Sequence, residues 1–163
     1  MHTVTIRPLT PADRDALAAA FEHLSEDTRR ERFGALAKQL RPSDLDRLTA
    51  LDHHRHEALA AIAPHSAAIV GVARYIALPD EAKTAEVAVA VDDDWQGAGI
   101  GRRLMSALAD RARAEGITHL VAYIAPTNRR VIDWIARAGG VVEAQDGDAI
   151  RYGIALRQLA RVA

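Results

Sequence analysis

Two hydrophobic periods alternate along this chain, and the points where one gives way to the other mark its elements. Residues 3–9 alternate modestly, as a short strand does. Thr10-Pro-Ala-Asp13 then supplies a cap residue, a proline at the first helical position and an acid in the first turn. Leu17, Phe21 and Leu24 fall on one helical stripe, which predicts a helix running to about Leu24. Ser25 opens a second, polar helix ending near Phe33-Gly34. Ser43-Asp-Leu-Asp46 repeats the cap pattern ahead of a third, short helix reaching Leu51. After Glu57 the period falls to two. Residues 58–63, 67–78 and 84–91 form three β-compatible runs, which predict an antiparallel meander. From Ile100 the helical spacing returns through Leu104 and Leu108, and Gly116 is placed to stop that helix. A strand over 119–124, a helix over 128–138 and a final hairpin around Asp146-Gly147 complete the pattern. With no repeat, linker or low-complexity tract, the expectation is a single mixed α+β domain spanning 1–163.

The joint between the third run and the next helix carries the strongest chemical signal. A Val-rich strand, Glu86-Val-Ala-Val-Ala-Val91, leads through Asp92-Asp-Asp-Trp95 into Gln96-Gly97-Ala98-Gly99-Ile100-Gly101 and then Arg102-Arg103. Alternating glycines let the backbone approach a ligand without side-chain obstruction. The helix that follows begins with amides that have no intrahelical acceptor, at the positive end of the dipole. This combination suits phosphate. A dinucleotide fingerprint needs a further glycine where Arg102 stands, and a P-loop needs lysine and Ser/Thr after the last glycine. Both fail. A merely structural turn would need one glycine, not three.

Composition narrows the ligand and the setting. The 21 basic and 22 acidic residues leave a net charge of −1, so no nucleic-acid footprint is expected. The absence of cysteine excludes disulfides, a thiolate nucleophile and zinc-thiolate sites. No apolar run approaches the ~20 residues of a membrane span, and the N-terminus lacks a basic-then-apolar leader, so a cytoplasmic protein is expected.

Gln96-x-x-Gly99-x-Gly101 after a Val-rich strand resembles the Q/R-x-x-G-x-G/A signature of the GNAT N-acetyltransferase superfamily, and the order of elements matches over nearly the whole chain. The segments Ser25-Glu-Asp-Thr-Arg-Arg-Glu-Arg-Phe33 and Leu48-Thr-Ala-Leu-Asp-His-His-Arg-His-Glu-Ala-Leu59 resemble the N-terminal part of bacterial Pat-type protein-lysine acetyltransferase domains. The segment from Ala85 to Gly97 resembles their central strand and turn. The resemblance implies a mixed, mostly antiparallel twisted sheet of about six to seven strands flanked by about four to five helices. It implies acetyl-CoA as cofactor, with the backbone of Val89 and Val91 pairing with the pantetheine arm like an added strand. The amides of Gln96, Gly97, Ala98, Gly99, Ile100, Gly101 and Arg102 would hold the pyrophosphate, and Asn128 would reach the pantetheine or adenosine side. The family often has a basic residue where Ala98 stands here, so charge would come from Arg102 or Arg103, with weaker or more salt-sensitive affinity. The superfamily also makes a homodimer an expected assembly.

An amine attacks a thioester only when neutral, and lysine's ordinary pKa of about 10.4 makes deprotonation at pH 7 cost roughly 4.6 kcal/mol. A general base is therefore expected. Strand alternation puts Glu86, Ala88 and Ala90 on one face and Val87, Val89 and Val91 on the other, so the acid stands beside two small residues with room for a substrate. Pat-type enzymes place their base at the matching position. No general acid is assigned: where many relatives have tyrosine, this chain has Ile135, and Tyr123 and Tyr152 fall on strands. Asp52-His-His-Arg-His56 lacks a second ligand set for a metal, and Asp92-Asp93-Asp94 suits a turn at a helix entry better than a cation. Three readings stay open: acetylation of a protein lysine, acetylation of a small-molecule amine, and a non-catalytic acyl-CoA-binding module.

Overall fold

The computed structural model describes residues 3–33 and 40–159. Its elements are β1 (Thr5–Pro8), α1 (Arg14–His23), α2 (Glu26–Phe33), α3 (Pro42–Thr49), β2 (His56–Ile62), β3 (Ile69–Ala77) and β4 (Thr84–Val91). They continue with α4 (Ile100–Ala114), β5 (His119–Ile124), α5 (Arg129–Arg137), β6 (Val141–Asp146), β7 (Ala149–Ala155) and α6 (Leu156–Leu159). Short 3-10 turns at Pro11–Asp13 and Asp93–Trp95 lead towards α1 and α4. The strands form one seven-stranded sheet in the order β1-β2-β3-β4-β5-β7-β6, antiparallel throughout except for β4 beside β5. The mixed, mostly antiparallel sheet agrees with the expectation from sequence, and six helices flank it among the described residues.

Two apolar layers sandwich the sheet. On one face Leu17 of α1 and Leu45 of α3 pack with Ala58, Ala60 and Ile69. On the other, Ile100, Leu104 and Leu108 of α4 pack over Leu59, Ala73, Tyr75 and Val87, with Val89 and Val91 against the same cluster. The alternation read in β4 is therefore the real division of faces: its valines meet α4, and its alanines face the side of α1. The last three strands carry a smaller cluster in which Ile135 of α5 packs on Tyr152 and Ile154.

Two local departures have plain causes. The third helix starts one residue before Ser43, with Arg41 as its cap position. Pro42 fits the first turn, and the Asp44 carboxylate accepts from the Arg41 amide at 3.0 Å, so a side chain inside the helix does the capping. Asn128 lies outside the fifth helix as its N-cap, its side chain accepting from the Val131 amide at 3.3 Å.

Candidate active site

The site begins where a strand loses one neighbour. β4 stays paired with β3 from Ala85 to Val91, but with β5 only over Thr84–Glu86. β5 keeps its pairing with β7 as far as Ile124. Beyond Glu86 and Val121 the two parallel strands therefore part, and a gap opens towards the glycine loop. The Lys83 carbonyl accepts from the Thr118 and His119 amides, so Lys83 directs its backbone groups to β5. Strand alternation sends those of Val89 and Val91 the same way, past the last paired residue; the Gln96 side chain meets the Val91 carbonyl, so the open groups are those of Val89 and the Val91 N–H. A free edge of this kind accepts an extended ligand as an extra strand.

The glycine loop closes the wide end of the gap. Gly97 and Gly99 have φ of 82° and 77°, in the left-handed region that a side chain resists. The first helical bond of α4 runs from the Arg103 amide to the Gly99 carbonyl at 3.1 Å. The amides of Ile100, Gly101 and Arg102 precede it, and Gly99 brings no side chain to cap them. Gly101 has an ordinary backbone, and a methyl there would only touch Val91 at 3.6 Å, so its smallness is not demanded by its φ.

The remaining expected cofactor residues divide by what they already hold. The Gln96 amide is taken by the Asp93 carbonyl at 3.3 Å, and its side chain donates to the Val91 carbonyl at 3.1 Å. Its other amide atom accepts from Arg130 at 3.2 Å. Gln96 thus braces the loop between β4 and α5, and its backbone N–H is not open to a phosphate. Arg103 donates to the Val4 carbonyl at 3.1 Å, whereas Arg102 is exposed and makes no ion pair or hydrogen bond among the described residues. Arg102 is the cation the cradle has to offer, together with Arg130 across the gap. No local pattern marks Arg130, because its partner lies 34 residues away.

Glu86 is half-buried, beside Ile76 on β3 and Val121 on β5. It makes no hydrogen bond or ion pair among the described residues. Ile76 and Tyr123 around it are 46% and 38% exposed, so this part of the sheet face is open. Next to it runs a polar chain that pattern reading missed. Arg151 donates to both carboxylate oxygens of Glu81 at 2.8 and 2.6 Å and to Glu143 at 3.0 Å, while Glu143 meets the His119 ring at 2.6 Å. The Glu143–His119 contact passes over β7 at Gly153, where a Cβ would overlap both side chains. Four separate strands and loops supply these groups, so no local spacing announces them.

Under α1 the same face is partly covered. Leu17, Ala20, Phe21 and Leu24 line, with the half-buried Ala88 and Ala90, a cavity of about 60 Å³ that stays partly open to solvent. Asp93 ties this side to the loop: it accepts from the Ser25 amide at 2.9 Å, the Ser25 hydroxyl at 3.1 Å and the Thr28 hydroxyl at 2.9 Å. Burial opposes its charge, but these donors outweigh that and hold its carboxyl below the usual range. The acidic triplet is thus a turn and a clamp on α2. The histidine run is likewise structural, with His53 on Glu57, His54 on Glu115 and His56 on Arg74.

The family model for acetyltransferases of the GNAT family matches residues 17–139. An acetyltransferase of Pseudomonas aeruginosa is 32% identical over 148 residues, covering 90% of this chain and 79% of that protein. The chain belongs to the GNAT acetyltransferase family. With membership comes acetyl-CoA as cofactor, and the free strand edge, left-handed glycines and open helix amides fit it. The acetyltransferase Pat of Mycolicibacterium smegmatis is 30% identical over 145 residues; these cover 84% of this chain but only 43% of that longer protein. Among solved structures, the GNAT domain of S. lividans PAT superposes with a TM-score of 0.84 at 25% identity, over 94% of this chain and 96% of that one. YncA of Salmonella typhimurium, solved with its cofactor acetyl-CoA, gives 0.70 at 24% identity over 94% of each chain.

Proposed function

We propose that this chain acetylates a primary amine by direct attack, with a protein lysine side chain as the acceptor and Glu86 as the general base. The observation that carries the reading is Glu86 itself: a half-buried carboxylate with no partner among the described residues, at the last paired position before β4 leaves β5. A structural glutamate would be tied up there, and a sensor would have no use for an open acid.

The residues divide the work. Bound acetyl-CoA supplies an acyl group activated as a thioester. The amides of Ile100, Gly101 and Arg102, with the backbone of Gly97, Ala98 and Gly99, bind its phosphates, and Arg102 and Arg130 add charge. Val89 and Val91 align the arm along β4, and Asn128 borders it from the start of α5. Glu86 accepts the proton that the acceptor ammonium must lose, a role that a positioned base typically makes worth ~10²–10⁴-fold in rate. No side chain of this protein is assigned to protonate the thiolate that such a reaction would release; with a thiol pKa ordinarily near 8.5, water would suffice.

Half-buried Glu86, flanked by the exposed Ile76 and Tyr123, suits an acceptor on a protein surface. The likeness to Pat domains points the same way. Acetyl-CoA turnover against lysine-bearing proteins and a panel of polyamines, amino sugars and amino acids tests it. Transfer to proteins, located by mass spectrometry on lysine, is expected to exceed transfer to every small amine at equal amine concentration. A small amine preferred by tenfold or more would overturn the protein-acceptor reading.

A further inference from the structure

The cavity beneath α1 is not needed by an acetyl group, and its chemistry suggests a use. We propose that it is an acyl-chain pocket, so that the protein accepts acyl-CoA thioesters longer than acetyl, of three to four carbons. The inference rests on the cofactor placement in the preceding subsection. There, Val89 aligns the arm and Glu86 meets the amine, so the acyl carbon belongs on β4 between them. The residue between them that faces α1 is Ala88, and Ala88 and Ala90 form the floor of the cavity.

Size and lining suit a short alkyl tail. The volume of about 60 Å³ is several times the ~10–15 Å³ that a cavity needs to hold one water, so a short alkyl tail fits. Leu17, Ala20, Phe21 and Leu24 supply the roof. Two charged residues reach the lining, and both are engaged. Arg74 bonds the His56 ring at 2.8 Å and the Leu48 carbonyl at 3.2 Å, and Asp92 accepts from the Asp94 amide at 3.0 Å.

The rival occupant is the acceptor's own side chain. A lysine would bring its ammonium past the buried Arg74 cation, and it would enter beneath a helix when an open face lies beside Glu86. A tail tethered to an anchored cofactor meets neither obstacle.

The test uses CoA, acetyl-CoA, propionyl-CoA and butyryl-CoA with the full chain. Binding is measured by calorimetry, which needs no acceptor. Butyryl-CoA is expected to bind ~3–10-fold more tightly than acetyl-CoA, as buried methylenes should. Ala20→Leu, which fills the cavity from the helix side, should erase that preference while leaving acetyl-CoA affinity within about twofold. Should Ala20→Leu fail to fold, Leu24→Ala enlarges the same space and should shift the preferred chain towards hexanoyl-CoA. Weaker binding of butyryl-CoA than acetyl-CoA by the unaltered protein would overturn the proposal. So would an Ala20→Leu variant that keeps the butyryl preference but raises the acceptor KM, because the acceptor would then occupy the cavity. Absent turnover with the chain-length preference intact would count against the acceptor reading and leave the pocket standing.

Discussion

The two halves of the proposed active site are built from different material. The proposed cofactor half is made of backbone: a strand edge freed beyond Glu86, two left-handed glycines and the first amides of α4. The proposed acceptor side is made of side chains from distant segments: Glu86 and Tyr123, with the chain linking Glu81, Arg151, Glu143 and His119 on the same sheet. Backbone geometry leaves a local signature because a left-handed residue asks for glycine. A side-chain surface assembled across β4, β5, β7 and β6 leaves none. One half can thus be fixed in a short motif while the other changes its acceptor residue by residue.

If the halves are separable, variants in each should fail differently. Glu86→Gln is expected to lower kcat/KM by ~10²–10³-fold, the range of a positioned base. Gly99→Val should leave the chemistry alone and strike binding. A β-branched residue at φ 77° costs about 1–3 kcal/mol, and relaxing that strain would turn the loop amides away, raising the Kd for acetyl-CoA by roughly tenfold. Gly153→Ala should do the reverse. Its methyl would displace Glu143 and His119, lowering thermal stability by about 1–3 kcal/mol and raising the acceptor KM, with acetyl-CoA affinity unchanged.

Asp93 is where the halves meet, since it joins the turn before the glycine loop to the start of α2. Asp93→Ala should cost about 1–2 kcal/mol, as loss of a capping carboxylate does. The pH dependence has a definite sign. Folding holds the Asp93 pKa below its ordinary value of 3.8, so its contribution is present above that pH and is lost as the pH falls below it. The difference in Tm between Asp93→Ala and the unaltered chain should accordingly shrink below pH 4. A constant difference would show that charge is not what holds the clamp.

What could be read in advance follows the same division. The order of elements, the glycine loop and the facing of β4 were legible because each depends on residues close in sequence. Thr84–Val91 and His119–Ile124 were bounded to the residue by their alternation and flanking turns. Ser43 was misread as a cap because a serine before an acid looks the same whether Pro42 opens the helix or precedes it. The occupied amide of Gln96 and the brace from Arg130 were hidden, since both depend on how a turn and a later helix meet in space. Gly153 looks in sequence like a flaw in a strand, and only its neighbours show that it makes room for a crossing contact.

The separation of the halves is tested most directly by titrating acetyl-CoA into Glu86→Gln and Gly99→Val side by side. The account predicts that Glu86→Gln binds within about twofold of the unaltered protein while its turnover collapses, and that Gly99→Val binds roughly tenfold more weakly. Full turnover by Glu86→Gln, or undiminished binding by Gly99→Val, would contradict it.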